Sequence, residues 1–111
     1  MNAPIAINID AMREGAGEAA EFLRAMSNPP RLMILCHLSG AGELSVGALV
    51  ERVGVSQSAL SQHLAKLRHI GLVDFRREAQ SLHYRISDPR AEQLLETLHA
   101  LFCAQDRTDH D

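Results

Sequence analysis

The residues of this chain whose types could do chemistry are two cysteines, six histidines and a run of serines and glutamines. Cys36 and Cys103 stand 67 positions apart. That is not the Cys-x-x-Cys spacing at a helix start that makes a thiol oxidoreductase, so a catalytic dithiol is the weaker reading. A separated pair can still be a switch, because a thiolate attacks an oxidised sulfur and a second thiol resolves the product. The plainer alternative is two small buried hydrophobes, a frequent use of free cysteine. The histidines (His37, His63, His69, His83, His99, His110) show no ligand spacing. Packing or surface roles are expected of them, with no metal and no cofactor. The third group is Gln57, Ser58, Ser61, Gln62 and Ala65, all small or amide-bearing and none charged. A solvated helix face usually carries Glu and Lys, so this one is expected to lie against something. Ser and Gln can hydrogen-bond to phosphates and base edges, which suits a helix in the major groove of DNA.

These side chains need elements to position them. Residues 43–70 read as two short helices joined by a tight turn. Val46, Leu49, Val50 and Val53 give the first an apolar stripe, and Gly54 can take the left-handed conformation that ends it. Ser56 offers an N-cap to the second, whose buried edge is Leu60, Leu64 and Leu67. His63, inside that helix, is expected to pack or to touch DNA. Upstream, residues 1–10 lack a period and are expected to fray. Residues 11–26 form a helix with apolar Ala11, Met12, Ala19, Phe22, Leu23 and Met26. Ser27-Asn28-Pro29-Pro30 stops it and starts another, from Pro30 to Leu38, with Leu32, Leu35 and Cys36 on one face. Downstream, residues 72–87 change to an alternating period, with Val73 and Phe75 in one arm, Tyr84 and Ile86 in the other, and Glu78-Ala79-Gln80-Ser81 as the loop. This is a β-hairpin carrying Arg76, Arg77 and Arg85. Placed directly after a helix-turn-helix it reads as a wing that tracks phosphate. The alternative is a solvated edge protected by charge.

Asp88 and Pro89 open a last helix. Its stripe is Ala91, Leu94, Leu95, Leu98, Leu101 and Phe102, bordered by Cys103. The first and last helices have more apolar face than a small core requires, which points to a two-fold dimer interface. Residues 104–111 are polar and expected to be disordered. The whole is one domain, 1–111, mainly α with a β-hairpin wing, in the order α-α-α-α-β-β-α.

Charge is informative by its placement. The chain carries −3 overall, a balance that taken alone argues against nucleic acid. Residues 56–85, however, hold Lys66, Arg68, Arg76, Arg77 and Arg85 against Asp74 and Glu78. The positive excess coincides with the expected reading helix and hairpin, and a local patch is what phosphate contact needs. The longest apolar run, Leu32–Cys36, is too short to span a membrane. The first twenty residues have neither a basic nor an apolar signal region, so a cytoplasmic protein with reduced thiols is expected.

The order of elements resembles the ArsR/SmtB repressors, dimeric bacterial winged-helix proteins. The resemblance rests on Asn28-Pro29-Pro30-Arg31-Leu32-Met33-Ile34-Leu35 and on Ser56-Gln57-Ser58-Ala59-Leu60-Ser61-Gln62-His63-Leu64, with Leu67-Arg68 and Gly71-Leu72-Val73 beside them. It covers roughly residues 18–103. It implies DNA contacts from Ser56, Gln57, Ser58, Ser61, Gln62 and Lys66 on the helix and from Arg76, Arg77 and Arg85 on the wing. Many family members sense metals. Here Glu43-Leu44-Ser45-Val46-Gly47 lacks the thiolate site of the arsenic- and cadmium-type sensors. Asp88-Pro89-Arg90 lacks the first His of the zinc-type site, so a metal would be under-coordinated.

The two cysteines, with Arg31-Leu32-Met33-Ile34-Leu35-Cys36 and Leu101-Phe102-Cys103, match the SqrR/BigR-like subgroup and the HlyU-like proteins beside it. That resemblance implies a Cys36/Cys103 dithiol linked by persulfides or polysulfides, with release of an inverted-repeat operator. A chain of several sulfurs can span a gap too wide for a direct disulfide. The expectation is a dimeric repressor and not an enzyme. A broader redox sensor, a HlyU-like activator, a metal sensor, a thiol oxidoreductase and a winged helix used only for protein contact are the alternatives.

Overall fold

A computed structural model describes residues 4–103. Its elements are α1 (Ile9–Met26), α2 (Pro29–Ala41), β1 (Leu44–Ser45), α3 (Val46–Val53), α4 (Gln57–His69), β2 (Val73–Glu78), β3 (Ser81–Ile86) and α5 (Pro89–Phe102). The expected order holds, with one addition. The two-residue β1 pairs antiparallel with β3, Leu44 opposite Tyr84 and Ser45 opposite His83. The wing is therefore the outer part of a three-stranded sheet in the order β1-β3-β2.

Each helix begins where a short polar side chain can accept a hydrogen bond from an orphan N–H. Asn8 caps α1, two residues earlier than expected, so Ile9 and Asp10 are helical. Asn28 accepts from the Arg31 N–H and the two prolines follow it into α2. Ser45 caps α3, Ser56 caps α4 and Asp88 caps α5. Gly54 ends α3 at φ 80°, a left-handed conformation that turns the chain into Ser56 at little steric cost. α2 runs three residues past its expected end and stops at Gly42.

The core lies where α2, α3, α4 and the sheet meet. Ile34, Leu35, Leu38, Leu49, Leu60, Leu64, Leu67, Leu72 and Val73 are fully buried. Phe75 and Tyr84, opposite each other in the hairpin, pack with their rings tilted and centroids 5.3 Å apart. One expectation fails here. Cys36 does not share the buried face of Leu35; it is exposed, and Ile34 and Leu38 take the core positions instead. Residues 34 and 35 are both inward, so α2 is buried over a broad face and Cys36 falls just beyond its edge.

α1 is attached differently. Of its 18 residues only Met26 is buried. Its C-terminal half is held by Phe22, half-buried against the core, and by Glu18, 3.3 Å from Arg90 of α5. Met12 and Leu23, and Leu101 and Phe102 of α5, remain exposed. The radius of gyration is 16.3 Å, against about 13 Å for a compact chain of this length. No helix among the described residues is long and apolar enough to cross a membrane. The expectation for residues 104–111, and for residues 1–3, lies outside the described residues.

Candidate nucleic-acid interface and thiol pair

Leu60, Leu64 and Leu67 anchor α4 and so fix which side chains it presents. Gln57, Ser58, Ser61, Gln62 and Lys66 are all exposed. None of the first four spends its side chain on a hydrogen bond within the described residues, so their donors and acceptors are available. Ser56 differs: its Oγ accepts the Ala59 N–H at 3.0 Å. Its first role is to start the helix, and only its remaining capacity can face a partner. A groove of about 520 Å³ separates this helix from the wing, lined by Gln57 and Ser61 on one side and Gln80, Ser81 and Leu82 on the other.

The pleat sorts the wing arginines by face. Arg77 lies opposite Leu82 on the face that carries Phe75 and Tyr84, towards the tip. Arg76 and Arg85 lie on the other face with Asp74, Glu78 and His83. Arg77 and Arg85 are exposed and make no ion pair or hydrogen bond with any described residue. Arg76 is already engaged. Its guanidinium grips Glu43 through Nε and Nη2, at 2.9 to 3.1 Å, and donates from Nη1 to Glu78 at 3.0 Å. The Arg76 hydrogen bonds hold the Glu43 carboxyl below its ordinary range. Arg68 lies 4.3 Å over the Phe75 ring and joins α4 to the wing.

His63 is half-buried on the inner shoulder of α4. Its Nδ1 lies 3.5 Å from Arg31 Nη1. Partial burial, then the charges of Arg31 and Lys66, push its pKa down. Arg31 was quoted above only as part of a motif, and no spacing in the sequence pairs it with His63.

Cys36 on α2 and Cys103 at the end of α5 are free thiols. Cys36 opens on a groove of about 600 Å³ between these helices, lined also by Glu92, Gln93, Glu96 and His99. Burial of its base, and then the neighbouring Cys103, raise its pKa above the ordinary thiol value. Cys103 is thus near enough for its charge to disfavour a charge on Cys36. Among the described residues no group of three or more His, Cys, Asp or Glu could hold a metal ion.

A capped helix-turn-helix, an exposed amide-rich face and an arginine-bearing hairpin define a winged-helix DNA-binding protein. The chain belongs to the ArsR family of bacterial regulatory proteins, whose pattern matches residues 28–74. It is 47% identical over 97 residues to the transcriptional activator HlyU of Vibrio cholerae, covering 87% of this chain and 89% of the relative. It is 44% identical over 98 residues to the biofilm growth-associated repressor of Agrobacterium fabrum, covering 88% of this chain and 83% of that one. The crystal structure of the repressor BigR from Xylella fastidiosa matches with a TM-score of 0.82 at 38% identity, over 87% of this chain and 98% of that one. The chain is accordingly a transcriptional regulator of the ArsR type, in the company of HlyU and BigR, and its relatives are regulators rather than enzymes.

Proposed function

We propose that this regulator is a cytoplasmic homodimeric repressor whose hold on an inverted-repeat operator is released when persulfides or polysulfides link Cys36 to Cys103. The observation that carries the reading is the thiol pair itself. Two free thiols sit on helices that pack against each other, α2 and the end of α5, and Cys36 is outside the core. That position argues against Cys36 as a mere packing residue, since an exposed thiol adds little to a core and is open to reaction.

The chemistry balances without a cofactor. One thiolate takes the outer sulfur of a persulfide and expels a thiol. The second thiol attacks the resulting protein persulfide and releases hydrogen sulfide, leaving a disulfide. Transfer of further sulfurs before closure leaves a longer bridge. Exposed apolar side chains on α1 and α5 support the dimer. Two reading helices related by a two-fold axis match half-sites about one helical turn apart. A link between α2 and α5 favours a dimer geometry in which they no longer do so. About 1.4 kcal/mol of differential affinity already changes binding tenfold.

The test is substitution of either sulfur. Cys36→Ser and Cys103→Ser should each bind operator when reduced and fail to release it on persulfide treatment, because a link needs both thiols and DNA binding needs neither. Intact and peptide mass should show the two cysteines joined within one chain, with zero or more extra sulfurs. Normal release by either single variant, or a link found only between chains, defeats the mechanism. A peroxide arm separates a persulfide sensor from a general redox sensor. The sign of regulation has a second reading, because the relative at 47% identity is an activator. A promoter fusion with and without the gene decides it.

A further inference from the structure

The fold leaves one charged group between the thiol-bearing helix and the reading helix. Arg31 stands in the first turn of α2, and its guanidinium faces the end of α1 and the flank of α4. Nε donates to the Ala25 carbonyl at 2.6 Å, and Nη2 to the Arg24 carbonyl at 3.4 Å. A cation here suits a helix end and satisfies the Ala25 carbonyl; the Arg24 carbonyl already accepts from Ser27. Nη1 reaches the His63 ring at 3.5 Å. The three contacts are unequal. The α1 end is gripped closely through Ala25 alone, the Arg24 contact being itself long. The α4 end is held at the limit of hydrogen-bond range, where a small displacement of α2 breaks it. Beside this joint lies a hollow of about 360 Å³, lined by Arg24, Ala25, Arg31, Ala65 and Lys66, so the side chain has room to move. Cys36 is five residues further along the same helix, about 7.5 Å by the helical rise. A rigid helix that shifts at Cys36 shifts at Arg31.

We propose that Arg31 is a positioning residue that couples α2 to the reading helix, holding α4 in its DNA-competent place through His63 while the thiols are free. This rests on the thiol-switch reading above. Linking the cysteines draws α2 towards α5, the Arg31–His63 contact opens, and α4 loses one of its supports. The contact needs an unprotonated Nδ1 on His63, since Arg31 can only donate. The depressed pKa of His63 is consistent with that state at neutral pH.

The experiment measures operator affinity of the reduced and the thiol-linked protein, on DNA selected from a random pool by the reduced wild type, with inorganic tetrasulfide as oxidant. The readout is the ratio of the two affinities, with a thermal melt for each variant. Arg31→Lys keeps the charge but cannot reach both α1 and His63. His63→Leu removes the acceptor. Each should lower reduced-state affinity about tenfold, within the usual range of coupling effects, and bring the ratio close to one. His63→Asn places an amide oxygen near the Nδ1 position and should keep the wild-type ratio. The double variant should be no worse than the poorer single one. A collapse of the ratio from either side supports the coupling. A residue that only supports the fold would lower both affinities by one factor and leave the ratio untouched, and that result in Arg31→Lys overturns the proposal. Failure of the underlying switch is visible separately, as a ratio of one in the wild type, and the coupling role falls with it.

Discussion

The exposed edge of α4 and the outer face of the wing both offer polar side chains to solvent, but they hold them in opposite ways. Along α4, Gln57, Ser58, Ser61 and Gln62 have no partner within the described residues; the helix is fixed from beneath by three leucines, and its upper face is left unspent. Along the wing, Arg76 is locked to Glu43 and Glu78 before any nucleic acid arrives. A free amide meets a base edge at the cost of its hydration alone. An arginine already paired must give up a carboxylate to gain a phosphate, and the exchange yields less. On the proposed function, sequence reading would fall to the first surface and phosphate contact to the unpaired arginines of the wing, Arg77 and Arg85. Arg76 belongs first to the architecture of the wing.

The sharpest way to break this comparison is Gln62→Ala. It should cost about 1–3 kcal/mol on the selected operator, the worth of one base-reading pair, and leave binding to random DNA nearly unchanged. Titration of both DNAs by fluorescence anisotropy decides it, and equal losses on the two would remove Gln62 from base reading. Next in size are the wing arginines. Arg77→Gln and Arg85→Gln should each lower the slope of log K against log salt by about 0.9, one phosphate's share. Arg76→Gln should lower it by less than half as much. Three equal slopes would erase the distinction between the paired arginine and the unpaired ones.

Smaller again is the effect of pH on the Glu43–Arg76 pair. The folded-state pKa of Glu43 is depressed by its arginine. The pair's support is therefore fully present above the unfolded carboxyl pKa, and is lost as pH falls through the lower folded value. Glu43→Gln should remove that acid-limb dependence and steepen the salt slope, because Arg76 then keeps only Glu78 as a partner. A slope that stays the same means that Arg76 never faces phosphate. The least effect is expected of Arg68→Gln, about 0.5–1 kcal/mol of stability for an exposed cation–π contact, read by chemical denaturation, with no change in salt slope. A slope change would move Arg68 from packing to DNA contact.

What was legible in the sequence follows from the range of the forces involved. Ser56, Gly54 and Asp88 announce their helix ends because a cap acts within three or four residues. The hairpin shows in its alternation, and Phe75 and Tyr84 do share a face. Asn8 was overlooked as a cap because the residues before it lack a period. β1 was invisible because two residues have no pattern; it exists only through pairing with β3. Cys36 is expected on the face of Leu32 and Leu35, because in a wholly apolar run such as Leu32–Cys36 the residue types do not say which side of the helix faces in. The bonds from Arg76 to Glu43 and from Arg31 to His63 join residues 33 and 32 positions apart. Side chains at that distance meet only after the chain has folded.

The loosely attached first helix has a consequence for abundance. An 18-residue helix that buries one side chain has little reason to stay folded at high dilution. If a second copy covers it, as proposed above, folding and association form one equilibrium, and apparent stability rises with protein concentration. Such a regulator registers its own copy number. As the cell's supply falls, the partner is lost, then the two-fold spacing of the reading helices, and the operator empties more steeply than simple dilution would give.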